Sequence, residues 1–314
     1  MSSAVRHART NDPMLALGRL DGRLQHNPYA DIFLARARLE GAATLAGLAG
    51  VPIHVQDLQD WITGRALPPR SSEGRNDPIS VAAIFHVAMT RDEDTPDPVS
   101  LATIHTLRTI LDDRTEAERY GREDLAHFGP LWRQVRALAD APFTDDDILA
   151  VAERIFELAS MTEPALRADY TVVTVDGRSF ELAARGRDRN WLLATAIPRM
   201  LMRVGFTSRI IPSLVLLPKF LPPSPSELAS ILTEEAGRVA IAGLRDLDAI
   251  ERAGSRMVET LSVTKRSKSP LLARLQLAYP GLQAGAVAKL LQVTPQGARK
   301  LLAGLRAPSH PILV

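Results

Sequence analysis

Three segments near the C-terminus, "SPLLARLQLAY" at 269–279, "LQAGAVAKLLQ" at 282–292 and "TPQGARKLLAGL" at 294–305, follow one another with almost no chain between the last two. Each repeats apolar residues every three or four positions, the spacing of a helix with one buried face. Ser269 is expected to cap the first helix, with Pro270 at its first position. Thr294 and Pro295 take the same roles in the third, where a hydroxyl satisfies a free amide and proline's missing N–H is harmless. Ala288, Leu291, Val293, Ala298 and Leu301 fall where a helix-turn-helix needs small or apolar residues. A small one is needed where the helices cross, a branched one in the turn, and apolar ones beneath the last helix. Gln296, Arg299 and Lys300 are left facing outward.

Charge supports that reading. From Leu261 to Val314 there are eight Lys and Arg and no Asp or Glu, so the net +2 of the chain leaves −6 on residues 1–260. A one-signed block of this kind marks a solvated basic face, an interaction tail or a module that binds a polyanion. A helix lying in the major groove of DNA meets the bases with residues near its N-terminus, where Gln pairs with adenine and Arg with guanine. Lys265, Arg266 and Lys268, in "TKRSKS", are placed to meet phosphates. The candidate DNA-binding residues are therefore Thr294, Gln296, Arg299, Lys300, Lys265, Arg266 and Lys268. A plain helical hairpin closing the fold shows the same apolar pattern without the charge.

The remaining chain also reads as mainly helical, over 13–25, 28–48, 55–64, 79–90, 98–112, 144–160, 188–204 and 225–262. Pro98 suits the first position of its helix, and Thr144 is the expected cap of "TDDDILAVAERIFELAS". "LPPRSSEGRNDP" at 67–78 reads as a surface loop. One stretch, "DYTVVTVDGRSFEL" at 169–182, is rich in β-branched residues around Asp176-Gly177 and predicts a β-hairpin.

No motif for catalysis stands out. The chain has no Cys, which removes disulfides, thiolate zinc sites and a Cys nucleophile. Its seven His are scattered without metal-ligand spacing, and His86 and His105 read as residues of amphipathic helices. P-loop, GxSxG and GxGxxG sequences are absent. Trp61, Trp132 and Trp191 read as packing. "RGRDR" at 185–189 precedes a helix and can face an anion or serve as a loop and cap. No cofactor or metal is called for. No secretory signal is expected from "MSSAVRHARTNDPM". The longest apolar run, "RIIPSLVLLP" at 209–218, is far short of the ~20 residues that span a membrane.

"ARARLEGAATL" at 35–45 resembles the N-terminal SSxIEGxxxTL signature of Fic-domain proteins. The order that follows is also similar: a helix pair, a helix opening with "DPVSLATIHTLRTIL", the hairpin, and "LLATAIPRMLMRVGF". Many Fic proteins also carry a C-terminal helix-turn-helix. The resemblance covers about residues 28–305 and implies a helical Fic-like body. Fic nucleotidyl transfer uses an HPFx(D/E)GNGRxxR loop, whereas the corresponding region here reads "RSFELAARGRDRNWLLA", with no His and no Gly-Asn-Gly. Glu40-Gly41 match the Glu-Gly of the Fic inhibitory motif, but Arg36 stands where that motif has Ser or Thr. The two-part layout is similar as well to an uncharacterised helix-turn-helix family of rhizobial plasmids, a resemblance that implies DNA binding and no established reaction.

The expectation is a mainly α protein: a helical Fic-like domain over 1–262 with one β-hairpin, catalytically inactive, and a helix-turn-helix domain over 263–314. The expected function is sequence-specific binding of double-stranded DNA by a cytoplasmic, homodimeric regulator, with no membrane association and with any small-molecule or protein effector unknown. Two alternatives stand beside it. One is a divergent Fic-like nucleotidyl- or phosphotransferase using the "RGRDR" loop. The other is a plasmid-maintenance or antitoxin-like interaction protein.

Overall fold

The computed structural model describes residues 12–66, 78–91, 97–112, 129–166, 170–173, 179–182, 190–258 and 267–306. These residues are mainly helical. The helices are α1 (Pro13–Gln25), α2 (Ala30–Leu48), α3 (Val55–Thr63), α4 (Pro78–Arg91), α5 (Pro98–Asp112), α6 (Gly129–Asp140) and α7 (Ile148–Leu166). After them come strands β1 (Tyr170–Val173) and β2 (Ser179–Leu182), then α8 (Asn190–Val204), α9 (Pro225–Val258), α10 (Ser269–Ala278), α11 (Ala284–Leu291) and α12 (Pro295–Arg306). The strands pair antiparallel, Tyr170 opposite Leu182 and Val173 opposite Ser179. The expected Asp176-Gly177 turn lies outside the described residues, as does the expected loop from 67 to 77.

The centre of the molecule is α2. Ile32, Phe33, Ala35, Leu39, Ala42 and Leu45 bury sides of this helix that point in different directions. A helix apolar all round belongs in the interior rather than at a surface. It packs against α3, α4, α5, α8, α9 and α10. Gly41 permits one of these approaches, because a Cβ there would collide with the Pro212 carbonyl. The segment after α8 is thus laid directly on α2.

The longest helix, α9, has 34 residues and spans about 50 Å at 1.5 Å per residue. It lies along α1, with Pro13 against Gly237 and Tyr29 against Gly254, where a side chain would clash. Arg23 of α1 crosses to Asp248 at 2.6 Å and Glu251 at 2.7 Å on α9.

A polar cluster is enclosed among α2, α4, α5 and α10. Arg38 is fully buried, with its guanidinium 3.7 Å from Asp97. Asp97 also caps α5, accepting from the Ser100 N–H at 2.9 Å, with Pro98 at the first helical position as expected. His86 is fully buried, and its Nε2 has no hydrogen-bond partner among the described residues. Burial, and then the charge of Arg38, lower its pKa to about 3. His86 is therefore a neutral core residue rather than an acid–base group.

Two caps differ from expectation. Ser269 is the first residue of α10, not its cap; its own N–H donates to the Ser267 hydroxyl at 3.1 Å. The helix expected from Thr144 begins at Ile148, and Asp147 accepts from the Ala150 N–H at 2.8 Å. Of three consecutive aspartates, the last is the one positioned by the start of α7. Helix α6 was given no bounds from sequence, although Trp132 reads as part of a helical pattern; Trp132, Val135 and Ala139 supply its buried face.

Candidate nucleic-acid interface

Helices α10, α11 and α12 are joined by short turns. The turn between α11 and α12 is three residues, Gln292 to Thr294. Gln292 adopts a left-handed conformation (φ 51°), which is unfavourable for a residue with a Cβ. It lets the Val293 N–H return to the Ala288 carbonyl at 3.0 Å, closing α11 as a glycine cap ordinarily does. Thr294 then starts α12: its Oγ1 accepts from the Gly297 N–H at 3.1 Å, and its carbonyl accepts from the Ala298 N–H at 2.9 Å. The expected cap is therefore present, and the Thr294 hydroxyl keeps its own hydrogen for an external acceptor.

Burial sorts α12 into two faces. Ala298 is fully buried, and Leu301, Leu302 and Leu305 pack partly against the core. Gln296, Arg299, Lys300 and Ala303 are exposed. Gln296 and Arg299, three apart, share one side of the helix near its N-terminus. Lys300 is turned about 100° further round. On α11, Lys289 is exposed too. No carboxylate occurs on any of the three helices.

Not every cation of the basic block is free. Arg274 of α10 donates to Asp31 at 2.7 Å and to the Pro28 carbonyl at 2.5 Å. Lys268 directs its ammonium to the Leu291 carbonyl at the end of α11, 2.5 Å away, a favourable place for a positive charge. It stands beside the turn with part of its charge committed there. Lys265 and Arg266 lie outside the described residues, as does the "RGRDR" segment.

These three helices are joined to the rest of the chain by hydrogen bonds and shared packing. Arg36 of α2 donates to the Leu277 carbonyl of α10 from Nη2 at 2.6 Å and Nε at 3.1 Å, and pairs with Asp246 of α9 at 2.5 Å. This is the arginine that departs from the Fic-like motif, and sequence reasoning gave it no role. Tyr279, fully buried at the end of α10, has its hydroxyl 3.0 Å from that of Thr103 on α5. Burial pushes that phenol up to about 12, so it stays a neutral hydrogen-bonding group. The Gln283 N–H donates to the Thr63 carbonyl at 2.8 Å.

Of the other candidates, His54 and His105 are exposed on α3's start and α5, and His86 is in the core. Among the described residues, no group of three His, Asp or Glu is arranged to hold a metal ion. Likewise, no helix among them is long and apolar enough to cross a membrane. Trp61 and Trp132 are buried and Trp191 packs partly against the core. No protein-family model matches the chain, and no curated protein is similar enough to match it.

Proposed function

We propose that the chain is a sequence-specific binder of double-stranded DNA, a transcriptional regulator that uses α12 as its recognition helix. The observation that carries this reading is the outer face of α12. An exposed Gln, Arg and Lys stand near the N-terminus of a capped helix, after a three-residue turn, within a block of sequence free of carboxylates. In this arrangement Gln296 and Arg299 reach base edges, and Thr294, Lys300, Lys265, Arg266 and Lys268 serve phosphates. A helical hairpin that only closed the fold accounts for the apolar face of α12 but does not call for a block of one sign.

In the same reading, residues 1–262 form a Fic-like helical body without Fic chemistry, used for dimerisation or sensing. A dimer is called for because one short helix reads few bases, whereas two half-sites about 34 Å apart give workable specificity. Genome-wide footprinting in the cytoplasm of the native host tests the proposal. Discrete protected sites with two related half-sites support it. Uniform, sequence-independent protection, or none, overturns it.

A further inference from the structure

Helices α6 and α8 pack side by side, and each brings arginines to the groove between them. Arg199 and Arg203 are one turn apart on α8. Both donate from Nε to a single acceptor, Oδ1 of Asp140 at the end of α6, at 2.5 Å and 3.0 Å. The shared oxygen makes the two guanidiniums neighbours and sets one carboxylate against two cations. Neither guanidinium has another hydrogen-bond partner among the described residues. The outer fork of each, Nη1 with Nη2, is therefore uncommitted. Arg199 is not a freely solvated side chain: it is 14% exposed and lines the groove together with Trp132, Thr195 and Ala196. None of its nitrogens is both sealed from solvent and unpartnered, so its fork opens at the surface of the groove. Further cations stand on the same side of α6. Arg136, one turn before Asp140, lines the groove, and Arg133 is exposed two turns before it. Helix α8 has no carboxylate, and α6 has none but Asp140. On the neighbouring α7, Glu157 is held by Arg154 at 3.2 Å.

We propose that the Arg199–Arg203 pair binds the terminal phosphoryl group of a small phosphate monoester. A guanidinium fork matches two oxygens of an oxyanion. Two forks side by side match an acceptor with more than two free oxygens, and the surplus of positive charge favours a dianion. A terminal phosphoryl group has three free oxygens and close to two negative charges above neutral pH. Asp140 is the positioning residue: it fixes both guanidiniums by their Nε atoms and leaves the forks to the ligand. A phosphodiester, the group of a nucleic-acid backbone, offers two free oxygens and one charge and fits the pair less well. The site is built on α6 and α8 and does not depend on DNA binding, so it stands or falls apart from the function proposed above.

Calorimetric titration of the full chain at pH 8 and fixed ionic strength, with phenyl phosphate and with dimethyl phosphate as the diester, tests the site. The expected result is saturable binding of phenyl phosphate and much weaker binding of the diester. Arg203→Gln removes one fork from the more exposed side of the pair and is expected to weaken phenyl phosphate by about fivefold or more. Arg199→Lys keeps the charge, loses the fork and is expected to weaken it comparably. Arg245→Gln, an equal loss of charge at an exposed position of α9, is expected to leave the affinity unchanged. All variants are checked for folding by their unfolding temperature. Absence of saturable phenyl phosphate binding, equal binding of the diester, an undiminished affinity in folded Arg203→Gln or Arg199→Lys, or the same loss in Arg245→Gln overturns the proposal.

Discussion

Arg299 and Lys300 are adjacent in the chain yet are assigned different work, because a helix turns about 100° between them. Arg299 shares its side with Gln296. If it makes a two-hydrogen-bond contact to guanine, Arg299→Ala costs roughly 1–3 kcal/mol at the specific site and much less on random duplex. Lys300→Ala is expected to weaken both kinds of DNA alike. Competition titrations against specific and random duplexes separate the two outcomes. Neither change should move the unfolding temperature, since both side chains are exposed. At the opposite extreme of burial, His86 makes a prediction about pH. Its pKa is lowered from 6.5 to about 3 in the folded protein. Below 6.5 the unfolded chain therefore takes up a proton that the folded chain refuses. Stability is complete above 6.5 and falls as pH drops toward 3. Between pH 6.5 and 5 this one residue removes about 2 kcal/mol. Thermal unfolding across that window should show the loss in the native protein and a flatter profile in His86→Gln. An equally steep profile in the variant would assign the pH dependence to other groups.

Among the elements, the turn between α11 and α12 allows a direct test. Gln292 is exposed and left-handed, so replacing it removes strain without losing packing. Gln292→Gly is expected to stabilise the protein by about 1 kcal/mol, and Gln292→Val to destabilise it by at least as much. Chemical denaturation reads both. Helix identity was legible from periodicity: α2, α4, α5, α8 and α9 lie where apolar spacing predicts, to within a few residues. The sorting of α12 was legible too, because Ala298 buried and Gln296, Arg299 and Lys300 exposed follow from 3.6 residues per turn. Helix starts were less so. Where Thr144 and three aspartates all offer a capping oxygen, local chemistry does not choose among them, and packing of α7 selects Asp147. Long-range partners were not legible at all. Nothing local to "ARARLEG" indicates that Arg36 grips a carbonyl 241 positions later. Nor does anything near Lys268 indicate that its ammonium turns to Leu291.

For the molecule as a whole, the decisive feature is that one continuous apolar core runs from α1 to α12, taking in Leu272, Tyr279, Val287, Leu290 and Ala298 alongside α2 and α5. The expected boundary at 262 falls in residues outside the description, but the helices on its two sides share that core. The full chain is therefore expected to unfold in a single transition, and a fragment of residues 263–314 to lack a cooperative one. Circular dichroism of both, with heating, decides this. The separation of charge, −6 against +8, places the attraction for a polyanion at the C-terminal end. Removing Lys265 or Arg266 is expected to reduce the salt dependence of DNA binding by about one unit of slope per contact, uniformly over sequences. The central claim is that α12 reads sequence, and selection from a random duplex pool with the full chain, run in parallel with folded Arg299→Ala, tests it most directly. The account predicts that the native chain enriches a site of two related half-sites about one helical turn apart, and that Arg299→Ala loses the enrichment at a guanine position. A folded native chain that enriches no sequence, or an Arg299→Ala pool identical to the native one, would contradict it.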